Sequence, residues 1–151
     1  MTGVPVTTVL HDGRRVTGVA TPAGEISAPI VIDCAGPRAD EVGALAGVDI
    51  PSKPYRRQVV VTEPLPLLPE VFPLIVDLDT GWYVHRQGKA AVLMGGTDKD
   101  QHPGHDAVVD WDALGAVFEA AARRVPPLAE ARGVRAYAGV RDLTRDYHGI
   151  L

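Results

Sequence analysis

A single cysteine, Cys34, in 151 residues excludes an intramolecular disulfide and any cysteine-rich zinc centre. It also makes a reducing compartment, the cytoplasm, the simplest expectation. The start Met1-Thr2-Gly3-Val4-Pro5 lacks the basic residues and apolar run of a secretory signal, and nothing approaches the roughly 18 consecutive apolar residues of a membrane span. Serine is scarce as well. Neither Ser27 nor Ser52 stands in a Gly-x-Ser-x-Gly turn, and Cys34, at what reads as a buried strand end, is expected to be a small core residue rather than a thiolate. Nucleophilic hydrolysis is therefore disfavoured. Aromatics make up only 5% of the chain, so its core must be largely Val, Leu, Ile and Ala.

Basic charge is thin. The net charge is -4, and the only adjacent basic pairs are Arg14-Arg15, Arg56-Arg57 and Arg123-Arg124, too dispersed to follow a phosphate backbone. Nucleic acid and membrane are not expected partners. No Gly-x-Gly-x-x-Gly occurs anywhere, and Gly95-Gly96-Thr97 lacks the lysine and helix of a phosphate-binding loop. His102 and His105, with Asp98, Asp100 or Asp106, have the side-chain types of a metal site, but a polar loop produces such spacing readily, and no metal is expected.

What is present is a globular balance of 46% hydrophobic and 23% charged residues. Thr7–His11 and Arg15–Ala20 are β-branched runs around Asp12-Gly13, a dipeptide suited to a tight hairpin, and Glu25–Ala28 completes a three-stranded meander. Ile30-Val31-Ile32 has no alternation and reads as a strand buried on both faces. It leads through Asp33-Cys34-Ala35-Gly36-Pro37 into a helix from Ala39 toward Gly47, with acids early and glycine at its end. Strands are expected over Lys53–Thr62, Leu74–Asp77, Gly81–Arg86 and Ala90–Gly95, and the proline-rich 63–69 must be a surface loop. Asp110 can cap a helix whose apolar stripe runs Trp111, Leu114, Val117, Phe118 and Ala121, stopped by Pro126-Pro127. Val134–Val140 alternates and gives a last strand before an irregular tail.

Two strand ends carry the functional signal. Small residues at Ala35-Gly36 and Ala138-Gly139 would let a ligand approach the backbone, although tight packing explains them equally well. Arg141 offers a planar fork suited to a carboxylate, or to a structural ion pair with Asp142 or Asp146.

Taken in order, the motifs resemble those of the D-amino-acid oxidase and sarcosine oxidase superfamily of FAD-dependent amine oxidoreductases. They are Gly13-Arg14-Arg15-Val16-Thr17-Gly18-Val19 with Gly24–Ala28, Ile30–Pro37, Leu93-Met94-Gly95-Gly96-Thr97, Arg124–Leu128, and Ala138-Gly139-Val140-Arg141 with Thr144-Arg145-Asp146. The resemblance implies FAD as cofactor and hydride removal from an amine or amino acid of sarcosine, dimethylglycine, glycine or D-amino-acid type. It places Ala35 and Gly36 against the flavin, Thr144 and Asp146 in a turn toward it, Arg141 on the substrate carboxylate and Tyr83 in the substrate pocket. Gly139 stands where monomeric sarcosine oxidases carry a flavin-linking cysteine, so attachment there is impossible.

The fold class implied is α+β: an antiparallel or mixed-sheet substrate domain with flanking helices, plus a meander and one buried strand from an incomplete FAD-binding domain. Residues 1–47 would belong to that FAD-binding domain, 48–137 to the substrate domain and 138–151 to a returning strand. On this reading the chain is an interior piece of a larger flavoprotein, inactive alone and able to self-associate through exposed apolar surface. The competing expectation is a free-standing α+β binding or interaction module without redox activity.

Overall fold

The computed structural model describes residues 1–96 and 101–150. It contains two compact units, one formed by 1–54 and 142–151, the other by 55–141.

The first unit carries the antiparallel meander β1 (Thr8–His11), β2 (Val16–Thr21) and β3 (Gly24–Ser27), in the order β1-β2-β3. The expected hairpin at Asp12-Gly13 forms through local contacts. Asp12 Oδ1 accepts the Arg14 and Arg15 N–H groups, each at 2.8 Å, and Gly13 takes φ +93°. The same hydrogen bonds hold the Asp12 carboxyl below its ordinary pKa. Helix α1 (Ala39–Leu45) follows a 3₁₀ turn at Gly36–Arg38, with Asp40 and Glu41 in its first turn. It ends as its glycine suggested: Gly47 has φ +70°, and the Val48 N–H reaches back to the Gly43 carbonyl at 2.9 Å.

Ile30-Val31-Ile32 is a correction. The segment forms no strand, and Ile30 and Ile32 are 73% and 79% exposed. A strand exists only through a ladder to neighbours, and no described strand pairs with these residues. Cys34 is accordingly exposed, against the expectation of a core residue.

The five-stranded sheet has the order β5-β6-β7-β4-β8, formed by β4 (Ser52–Thr62), β5 (Ile75–Val76), β6 (Tyr83–Gln87), β7 (Ala91–Gly96) and β8 (Gly133–Thr144). The last strand extends four residues past the expected Val140. Its β5-β6, β6-β7 and β4-β7 pairings are antiparallel. Period-two alternation sends Val84, Val92, Met94 and Val60 to one face, where they pack with Leu114, Ala121 and Leu128 in the core.

That face is covered by α2 (Trp111–Arg124), capped by Asp110, whose Oδ1 accepts the Ala113 N–H at 3.1 Å. Leu114, Val117, Phe118 and Ala121 form the packed stripe, but Trp111 is 68% exposed and lies outside it. Helical side chains tilt toward the N-terminus, so one in the first turn projects past the end of the stripe. Residues 63–69 are irregular, as their prolines required, yet Leu65 and Leu68 turn inward and join the core.

Candidate functional site

The face of the sheet opposite α2 gathers residues from four strands in the second unit. Tyr83 on β6 pairs with Gly95 on β7, which pairs with Val59 on β4. A Cβ on Gly95 would lie 2.6 Å from the Tyr83 hydroxyl and 2.7 Å from Cζ, so the glycine leaves room for the phenol to lie across its strand partner. Arg57, two residues before Val59, stacks over Tyr55 at 5.8 Å and donates to the Arg56 carbonyl at 2.7 Å and to Gln101 Oε1 at 3.2 Å. On β8, Arg135 lies 5.5 Å from the Tyr137 ring centroid, and Ala136 packs against the core between them.

Electrostatics tie these groups together. Half-burial pushes the Tyr83 phenol above its ordinary pKa, and the Tyr137 phenol adds to the rise. The guanidinium groups of Arg57 and Arg141 act on it in the opposite direction. Tyr83 therefore stands at neutral pH as an uncharged phenol within the field of two cations. Arg141 is exposed and makes no ion pair among the described residues, which leaves its fork available to a carboxylate. Gly139, two positions before it, has nothing within 4 Å of where a Cβ would stand. Of the expected substrate residues, the structure thus brings Tyr83 and Arg141 into one electrostatic neighbourhood. Arg57 and Tyr137 join them unanticipated, because nothing in their local sequence says that distant strands place them there.

The other expected residues lie in the first unit. Asp33 Oδ1 accepts the Ala35 N–H at 2.8 Å and shapes the bend in which Gly36 takes φ +57°. No atom lies within 4 Å of a Cβ built on Gly36, so the glycine is required for its conformation and leaves the backbone open to a flat ring. Thr144 and Asp146 do come together: Thr144 Oγ1 lies 2.7 Å from the His148 carbonyl and 3.1 Å from Asp146 Oδ1, which also accepts the His148 N–H at 3.1 Å. These bonds lower the Asp146 pKa and support Tyr147 at φ +62°. The turn borders a cleft of about 510 Å³ with Pro51 and Ile150.

The histidine loop does not assemble a metal site among the described residues. Asp98 and Asp100 lie outside those residues, and Asp106 pairs with Arg56 at 3.3 Å. No helix of the described chain is long and apolar enough to cross a membrane.

The chain belongs to the FAD dependent oxidoreductase family DAO, whose profile matches residues 1–151. It is 34% identical over 148 residues to the hydrogen cyanide synthase subunit HcnC of Pseudomonas protegens, covering 97% of this chain and 34% of that protein. It is 32% identical over 163 aligned residues to the mitochondrial sarcosine dehydrogenase of Mus musculus, covering all of this chain and 17% of that protein. The L-proline dehydrogenase of P. horikoshii superposes with a TM-score of 0.82 at 25% identity, over 98% of this chain and 41% of that one. The chain therefore spans about a third or less of the length of these curated relatives.

Proposed function

We propose that this chain is the substrate-presenting part of a larger FAD-dependent oxidoreductase acting on a small amine or amino acid of sarcosine, dimethylglycine, glycine or D-amino-acid type. The observation that carries the reading is the open sheet face on which a neutral, half-buried Tyr83 stands near the cationic Arg141. Arg141 binds the substrate carboxylate through its fork, and Tyr83 offers a hydroxyl while its ring screens one side from water. Ala35 and Gly36 are assigned to the flavin by their position in the motif order, supported at Gly36 by the open space beside it, and the Thr144–Asp146 turn is assigned by the same order. When bound, FAD supplies the two-electron acceptor that takes hydride from the carbon beside the amine nitrogen.

On the same reading, 1–47 serve the FAD-binding domain, 48–137 the substrate domain and 138–151 the strand returning from it. Exposed apolar groups such as Ile30 and Ile32 support self-association of the isolated chain, and the single cysteine supports a cytoplasmic setting.

The test is Arg141→Leu in the full-length enzyme. KM for a carboxylated amine is expected to rise by about tenfold, the worth of a charge-assisted bond, with flavin content unchanged. An unaltered KM assigns Arg141 a structural role and removes it from the site.

A further inference from the structure

A second concavity lies on the other side of the same sheet. It is a cleft of about 430 Å³ between α2 and the strands, a volume within the range of small-molecule sites. Trp82 and Gly96 line it and alternate along their strands with Tyr83 and Gly95, so it opens on the face opposite Tyr83. Its apolar wall is Ala113, Ala116, Val117 and Ala120 of α2, over Trp82, which is itself only 2% exposed and packed in the core. The alanines keep the groove open where longer side chains would close it.

The polar lining has a consistent sign. Arg56 is neutralised by Asp106 at 3.3 Å and Asp110 at 3.0 Å, and Gln58 is bonded through both ends of its amide to the Asp110 backbone. Thr80 Oγ1 donates to Asp77, and Asp77 also pairs with Arg124 at 3.4 Å. Arg123, in contrast, has no partner among the described residues. Gln101 uses its carbonyl oxygen to accept from Arg57, which leaves its amide N–H groups without an acceptor there. Among the described residues the cleft thus offers one cation without an ion pair and one amide donor around an apolar wall, while Asp77, Asp106 and Asp110 are engaged.

We propose that this cleft binds a small amphipathic carboxylate, with its head group on Arg123 and its apolar body along the alanine face of α2, above the buried Trp82. The proposal is independent of the flavin reading, because apart from Gln101, which also meets Arg57, none of its residues belongs to the face of Tyr83 and Arg141.

Trp82 makes the site self-reporting. In this chain carrying the exposed Trp111→Phe change, Trp82 is the only tryptophan, and octanoate is the probe. Octanoate is expected to give a saturable change in its emission, octanol a weaker one and octylamine none. Arg123→Gln should weaken octanoate binding by about tenfold and Arg123→Lys restore much of it. Ala116→Leu should abolish binding by filling the groove, at unchanged helix content. Absence of a saturable octanoate response, equal binding of octylamine, or indifference to Arg123→Gln would each overturn the assignment. If Ala116→Leu fails to fold, the two Arg123 variants and the probe series still decide it.

Discussion

The phenol of Tyr83 lies over the backbone of Gly95, its partner in the β6-β7 ladder, so closely that a Cβ there would stand 2.6 Å from the hydroxyl oxygen. The obstructing atoms are the end of the Tyr83 side chain and, at 2.9 Å, Cγ1 of the ladder partner Val59, so Gly95→Ala is expected to displace the ring and to strain the stiff valine beside it. In the full-length enzyme KM should rise, and the melting temperature should fall modestly through the contact with Val59. A Gly95→Ala enzyme with unchanged KM would remove the Tyr83 ring from substrate binding.

Tyr83 is expected to ionise above the usual tyrosine range, because burial and Tyr137 oppose its charged form. The raised value stabilises the fold below the unfolded pKa, and that contribution is lost as pH rises toward the folded one. A tyrosinate absorbance titration should lose its most alkaline step in Tyr83→Phe. Because Arg141 lowers the Tyr83 pKa, Arg141→Leu should move that step further up. No movement would place Arg141 too far away to share the site.

Asp110 joins three contacts: the α2 cap, an ion pair with Arg56, and backbone bonds to Gln58. Asp110→Ala is expected to cost about 1–2 kcal/mol through the lost cap, with a smaller addition from the partly exposed ion pair. Asp110→Asn keeps the cap and should recover most of that loss in chemical denaturation. Equal losses in both variants would show that the ion pair dominates.

The Thr144–His148 turn is expected to be acid-sensitive. The His148 N–H and then the Thr144 hydroxyl lower the Asp146 pKa, so the carboxylate stabilises the turn above its ordinary unfolded value. That contribution is lost as pH falls through the lower folded value. The protection of the His148 amide, relative to its intrinsic exchange rate at each pH, should fall across this acidic window, and Asp146→Ala should remove that pH dependence.

Met94 is fully buried at the centre of the core. Met94→Ala should destabilise the protein by about 2–5 kcal/mol through lost burial and a residual cavity. A loss well below that, measured by urea unfolding, would mean that α2 closes onto the gap.

Short-range chemistry made much of this protein legible. Asp12-Gly13 forms its turn, Asp110 caps α2 and Gly47 ends α1 because each needs only neighbours a few residues away. The ordered motifs from Gly13 to Asp146 likewise sufficed to identify the family, since they are properties of the chain itself. Ile30–Ile32 misled, because a β-branched run records a preference for a sheet and says nothing of whether a partner strand lies beside it. Trp111 fits the helical period but falls off the end of the packed stripe. The union of Arg57, Tyr83, Tyr137 and Arg141 was decided only by tertiary structure. Those residues come from strands far apart in sequence, and ladder register and alternation, rather than any local pattern, bring them to one face.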